Sequence, residues 1–216
     1  MSDPRLKAKI CGLSTPEAVQ AALSGGAAYL GFVFIPRSSR VVTTELAARL
    51  AAPARGHAHV VALAIDPSDA EVDEIARVLR PDFIQLHGRE APARAHAVSL
   101  RAGAGVIKAL PVAEAADLTA ARDFDSAAAH LMFDAKPPSD AALPGGNGTA
   151  FDWTLLAGRR FTRPWFLAGG LDPWNVAEAA RLSGAPLVDV SSGVERGPGL
   201  KDPALITAFL DAVRRA

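Results

Sequence analysis

Trp165-Phe166-Leu167-Ala168-Gly169-Gly170-Leu171-Asp172-Pro173 is a run of four apolar residues closed by two glycines and an Asp-Pro pair, and Leu187-Val188-Asp189-Val190-Ser191-Ser192-Gly193-Val194-Glu195 repeats the plan after an Ala-rich interval. A short, mostly apolar run that ends in glycine predicts a strand covered on both faces, as in a parallel sheet sandwiched by helices. Outward from this pair the same rhythm fills the chain. Further strand-like runs are Lys7 to Cys11, Ala28 to Phe34, Val60 to Ile65, Phe83 to Leu86, Val106 to Leu110 and Leu131 to Asp134, which with Trp165 to Ala168 and Leu187 to Val190 make eight. Each is followed by a longer Ala/Leu-rich segment that predicts a helix.

Three helix starts share one device: Thr15-Pro16, Asp172-Pro173 and Asp202-Pro203 each pair a capping side chain with a proline whose missing N–H costs nothing in the first turn. Helical spacing puts Val72, Ile75, Ala76 and Leu79 on one face before Pro81, and Leu205, Phe209 and Val213 on one face of the last helix. A fifth helix is expected near Glu114 to Ala121. With no Gly/Ser linker at mid-chain, residues 1–216 are expected to form one domain, a single closed (β/α)8 TIM barrel of the α/β class. The alternative, an open doubly wound sheet, wants a G-x-G-x-x-G after the first strand, and none is there.

Composition narrows the function. Twenty-three basic against 23 acidic residues leave no net positive charge for generic phosphate-backbone binding, so nucleic acid is not an expected partner. A single cysteine forms no internal disulfide and suits a reducing compartment; with no apolar signal region in Met1-Ser2-Asp3-Pro4-Arg5 and no membrane-length apolar run, a cytoplasmic location is expected. His57, His59, His96 and His130 have no companions at metal-ligand spacing, so no metal site is expected. Whether a protein partner exists is not legible here.

In a barrel the active site lies at the C-terminal strand ends. Gly169 and Gly170 after the seventh strand, and Ser191, Ser192 and Gly193 after the eighth, offer side-chain-poor backbone whose N–H groups converge on an anion. A third glycine cluster, Gly145, Gly146 and Gly148, sits in a long connection and reads as a lid over a ligand or as a merely mobile loop. Arg40, after the second strand, suits bidentate capture of a carboxylate, with Arg37 competing for the role. Gln85 and His87 share strand parity, so His87 is expected inside the mouth, where it holds a ligand, orients another side chain, transfers a proton directly or is simply structural. Cys11 and Asp134 close the first and sixth strands, a thiol and a carboxyl that together make a candidate base and acid. Lys9, of the same parity as Cys11, is expected beneath it, where its ammonium would favour a thiolate.

Taken in order, Lys9-Ile10-Cys11-Gly12, Gln85-Leu86-His87-Gly88, Phe133-Asp134-Ala135, Gly145 to Trp153, Ala168-Gly169-Gly170-Leu171, Asp189 to Glu195 and Pro198-Gly199-Leu200-Lys201-Asp202 resemble the phosphoribosylanthranilate isomerase family over the whole chain. Ser39 departs from the proline usual before that family's carboxylate-binding arginine, and Asn147 from a frequent threonine. The resemblance implies a cofactor-free Amadori rearrangement in tryptophan biosynthesis, converting N-(5-phosphoribosyl)anthranilate into 1-(2-carboxyphenylamino)-1-deoxy-D-ribulose 5-phosphate. It implies Cys11 as general base, Asp134 as general acid, Arg40 at the anthranilate carboxylate, the paired glycine loops at the phosphate and Asp189 at a ribose hydroxyl. The similar isomerase of histidine biosynthesis carries aspartate where Cys11 stands here. A barrel that binds a phosphosugar without turnover would have no chemical reason to keep both acid and base.

Overall fold

The eight expected strands close on themselves. The computed structural model describes residues 6–136 and 150–216, and its strands β1 (Lys7–Cys11), β2 (Tyr29–Val33), β3 (His59–Ala64), β4 (Phe83–Leu86), β5 (Gly105–Val112), β6 (His130–Ala135), β7 (Trp165–Leu167) and β8 (Leu187–Val190) form one closed barrel in sequence order. All pairings are parallel, and β1 closes the ring on β8 with Lys9 opposite Asp189. Alternate side chains therefore point to an inner and an outer layer. The inner layer includes Tyr29, Val61, Ile107, Ala109, Met132, Phe166, Ala168 and Leu187. The outer layer, with Ile10, Leu30, Phe32, Leu131, Phe133 and Val188, packs against helices.

The α-helices are α1 (Pro16–Ser24), α2 (Thr44–Ala51), α3 (Asp69–Val78), α4 (Pro92–Ala102), α5 (Val176–Ser183) and α6 (Pro203–Arg215). Thr15 caps α1 and Asp202 caps α6 through backbone N–H groups, each before a first-turn proline, as the sequence predicts. The third Asp-Pro pair behaves differently. Asp172 accepts from the N–H groups of Trp174 and Asn175 in a local turn, and α5 begins only at Val176.

Two expected α-helices are replaced among the described residues. Behind β5 lies a 3-10 helix, Ala115–Phe124, and after β6 a shorter one, Trp153–Leu156. In the first, Asp117 accepts from the backbone of Ala113 and Glu114, which tightens the entry into i→i+3 bonding. No helix among the described residues is long and apolar enough to cross a membrane.

Strand closure and parity position the site. Gln85 of β4 reaches across the lumen to the Met132 sulfur of β6 at 3.3 Å, so both strands' inward residues meet there. Below, at the N-terminal end, Tyr29, Phe83, His130 and Phe166 pack ring on ring, with 5.0 Å between the centroids of Phe83 and His130 and of Tyr29 and Phe166. This floor leaves the opposite, C-terminal end as the open mouth.

Candidate active site

Cys11 and Asp134 both point into the lumen at this mouth. Cys11 ends β1 and packs with Val33 and Leu63 of β2 and β3. A Cβ placed on Gly31 would stand 3.0 Å from Lys9 Nζ and 3.2 Å from Cys11 Sγ, which puts the ammonium and the thiol side by side. Lys9 is fully buried and donates to Asp189 Oδ1 at 2.8 Å. Burial works against its charge, but Asp189 and Cys11 together outweigh it, and Lys9 is held above the ordinary lysine range.

At the thiol, burial adds what the sequence does not show. Burial pushes the Cys11 thiol up, and the neighbouring Lys9 ammonium pulls it down without offsetting that cost. Lys9 is where parity placed it and favours the thiolate as expected, but burial outweighs it and holds Cys11 as a thiol. The buried Asp189 carboxylate also opposes a thiolate.

Asp134 is fixed by two donors. Its Oδ1 accepts from the Ala135 N–H at 2.9 Å, and its Oδ2 lies 3.1 Å from His87 Nε2. His87 Nδ1 is 3.1 Å from Gln85 Nε2, an amide nitrogen that only donates. The neutral imidazole then carries its hydrogen on Nε2 and donates to Asp134. His87 thus braces Asp134, as a histidine that orients another side chain would.

The backbone beyond His87 is braced from outside the barrel. Glu90, buried, accepts from the N–H groups of Asp66 and Gly88, and Lys108 donates to Glu90 at 2.6 Å and to the Gly88 carbonyl at 2.8 Å. Nothing in the spacing of Glu90 and Lys108 signals this pair, because it joins the loop after β4 to β5.

The paired glycine loops touch one another. Gly169 and Gly170 both have left-handed φ, +86° and +66°. A Cβ on Gly169 would meet Ala135 N at 2.7 Å and Asp134 Oδ1 at 2.9 Å, so this glycine makes room for Asp134 itself. A Cβ on Gly193 would fall 1.9 Å from the Leu171 carbonyl oxygen, so the loops after β7 and β8 press together. Ser191 Oγ donates to the Cys11 carbonyl at 3.3 Å, tying the second loop to the end of β1. Ser192 opens the short 3-10 turn Ser192–Val194. Asn175 donates to the Gly170 carbonyl at 2.8 Å and steadies the first loop.

Arg40 lies against the mouth and Arg37 is exposed. A Cβ on Gly12, the residue after Cys11, would come 2.7 Å from Arg40 Cδ. The guanidinium reaches Glu195 through Nε at 2.7 Å and Nη2 at 2.9 Å. Glu195 and Lys201, absent from the sequence-derived candidates, face each other across the small antiparallel pair β9 (Glu195–Gly197) and β10 (Leu200–Lys201). The turn signal Gly197-Pro198-Gly199 between them could have suggested that pairing. Lys201 donates to the Ser191 carbonyl at 2.9 Å and its charge also acts on Cys11. The expected lid residues Gly145, Gly146 and Gly148 lie outside the described residues.

Fold and mouth define a class: a (β/α)8 barrel enzyme with a thiol, a carboxyl paired to histidine and two fused glycine loops at its C-terminal end. Residues 8–212 match the family model for N-(5'phosphoribosyl)anthranilate (PRA) isomerase. The N-(5'-phosphoribosyl)anthranilate isomerase of Caulobacter vibrioides is 63% identical over 210 residues, covering 97% of this chain and 96% of that one. The crystal structure of phosphoribosyl anthranilate isomerase from Thermotoga maritima superposes with a TM-score of 0.87 at 30% identity, covering 98% of this chain and 100% of that one. A further solved isomerase, in complex with reduced 1-(o-carboxyphenylamino)-1-deoxyribulose 5-phosphate, gives 0.84 at 29% identity with the same coverage. The chain belongs to the N-(5'-phosphoribosyl)anthranilate isomerase family.

Proposed function

We propose that Asp134 is the acid and Cys11 the base of the family's reaction, the isomerisation of N-(5'-phosphoribosyl)anthranilate to 1-(2-carboxyphenylamino)-1-deoxy-D-ribulose 5-phosphate in tryptophan biosynthesis. As substrate binds, Asp134 takes up a proton and Cys11 gives one up through solvent; Asp134 then passes its proton to the furanose ring oxygen as the C1'–O bond breaks, leaving an iminium on C1' and nitrogen. The two donors that face its carboxyl, Ala135 N–H and His87 Nε2–H, then hold the carboxylate that remains. The iminium acidifies the C2' hydrogen, and Cys11 removes it as a thiolate to give an enolamine that tautomerises to the ketone. Sulfur forms no bond to carbon.

The observation that carries this reading is Asp134 fixed by His87 on the same inner face and at the same mouth as Cys11. Burial, and next to it the Asp189 carboxylate, disfavour the thiolate. Lys9 and Lys201 lower that cost from the protein side, and the cationic iminium, arriving beside the sulfur, lowers it from the substrate side. The fused loops at Gly169, Gly170, Ser192 and Gly193 support a phosphate at one end and Arg40 a carboxylate at the other, so binding energy at two unreactive ends aligns the reacting carbons. Asp189, which holds Lys9 through one oxygen, is assigned to a ribose hydroxyl. We assign the reaction to the cytoplasm, where a single catalytic thiol stays reduced.

The test is turnover of freshly made substrate, followed by loss of anthranilate-type fluorescence. Cys11→Ser and Asp134→Asn should each lower kcat by about two orders of magnitude or more, with affinity for the reduced product analogue within several-fold. Large affinity loss with nearly unchanged kcat would remove both from these roles.

A further inference from the structure

We propose that Glu195, carried with Lys201 on the β9–β10 hairpin, is a positioning residue that grips Arg40 side-on and presents the rest of its guanidinium to the substrate's carboxylate. The inference rests on the reading of Arg40 as the carboxylate clamp.

A guanidinium offers two kinds of bidentate edge, and Glu195 takes one of them. Arg40 Nε meets Oε1 and Nη2 meets Oε2, which uses two of the five N–H bonds. Among the described residues no hydrogen bond uses Nη1, so the end-on edge, Nη1 with the second hydrogen of Nη2, remains for another carboxylate. Side-on capture thus orients the group without consuming the edge that substrate needs.

Glu195 is itself held on every side. Lys201 donates to its Oε1, and the Gly199 N–H donates to Oε2 at 3.1 Å. Its side chain is 4% exposed and that of Lys201 is not exposed at all, so neither end of the grip swings into water. Arg40 and Lys201 together outweigh burial and keep the Glu195 carboxyl below its ordinary range, so the grip stays ionised at neutral pH.

The hairpin also docks on the segment it controls. Gly199 has φ +78°, and a Cβ there would lie 2.3 Å from the Ser39 carbonyl oxygen, so the turn rests on the residue preceding Arg40. The Arg40 N–H donates to the buried Ser38 Oγ at 3.1 Å. On its other flank the arginine stem lies on Gly12. The guanidinium is therefore fixed between the strand end that carries Cys11 and a hairpin hung from β8. A long side chain that would otherwise sample many rotamers is pre-set for a planar partner. A glutamate that merely blocked the clamp would sit on the end-on edge instead.

The experiment measures affinity for two probes: the reduced product analogue, and the same compound with phenyl in place of carboxyphenyl. Glu195→Ala and the milder Glu195→Gln are compared with the unaltered protein. In Glu195→Ala the carboxylated probe should weaken about 10- to 100-fold, less in Glu195→Gln, while the phenyl probe changes by no more than about two-fold. In turnover, KM should rise more than kcat falls. Partial unfolding would weaken both probes alike, so the ratio of the two affinities reports positioning alone. Equal weakening of both probes, or an unchanged or tighter grip on the carboxylated one, would overturn the proposal. If Arg40→Ala left the unaltered preference for the carboxylated probe intact, the clamp reading would fail first, and if the unaltered protein bound neither probe, the proposed function would.

Discussion

Gly169→Ala places a methyl group where the site has no space, and its cost can be worked from the contacts. At φ +86° a side chain carries left-handed strain of about 1–2 kcal/mol. The added carbon would also stand 2.7 Å from Ala135 N and 2.9 Å from Asp134 Oδ1. Backbone nitrogen of a central strand yields little, so overpacking adds about 1–2 kcal/mol. The sum, about 2–4 kcal/mol, lowers Tm by about 4–16 °C for a chain of this size but leaves it folded. The softer neighbour is the Asp134 carboxylate. Pushing it from the Ala135 N–H and His87 misaligns the acid, and a displacement near 1 Å costs about a hundred-fold in kcat.

Gly184→Ala supplies the control. Its φ is +72°, yet nothing lies within 4 Å of a Cβ there, so it carries the strain without the clash. Thermal denaturation and steady-state kinetics on both variants separate the contributions. A Gly169→Ala protein with kcat within two-fold of the unaltered enzyme, and a Tm loss no larger than that of Gly184→Ala, would refute the argument that this glycine makes room for the acid.

Two further outcomes concern protonation. Cys11 should react with iodoacetamide more slowly than a free thiol at pH 7, faster as pH rises past 9, and more slowly still in Lys9→Met, because burial holds the thiol up and Lys9 partly relieves it. Faster alkylation of Lys9→Met would reverse the assigned sign. At the barrel floor, burial among Tyr29, Phe83 and Phe166 draws His130 down to about 4 from 6.5. The unfolded chain binds this proton first, so its contribution is intact above about pH 6.5 and is lost as pH falls toward 4. Full conversion of that gap gives about 3 kcal/mol, and the ring's partial exposure reduces it to about 1–2. His130→Phe should flatten the fall in urea midpoint between pH 7 and 4.5, and an unchanged slope would place the titration elsewhere.

The sequence by itself determined the strands, the closed topology and which side chains stand at the strand ends. Phe83 to Leu86 and Leu187 to Val190 are strands with the expected bounds, because a mostly apolar run stopped by His-Gly or Ser-Ser-Gly is a local signal. Cys11, Asp134, His87, Arg40 and the Gly169 and Ser191 loops were legible because parity and strand-end position are also local. The two lost helices were not, since the turns of Ala115–Phe124 and Trp153–Leu156 follow local capping by Asp117 and Asp152 rather than a strong apolar stripe.

Only the tertiary structure decided how charged groups share partners. Lys9 with Asp189 is separated by 180 residues and Arg40 with Glu195 by 155, distances over which no periodicity speaks. The balance at Cys11 turns on burial, which exists only once the barrel has closed around it. Side-chain type and spacing state which groups are available; desolvation and long-range pairing, set by the fold, state which are charged and which way they face.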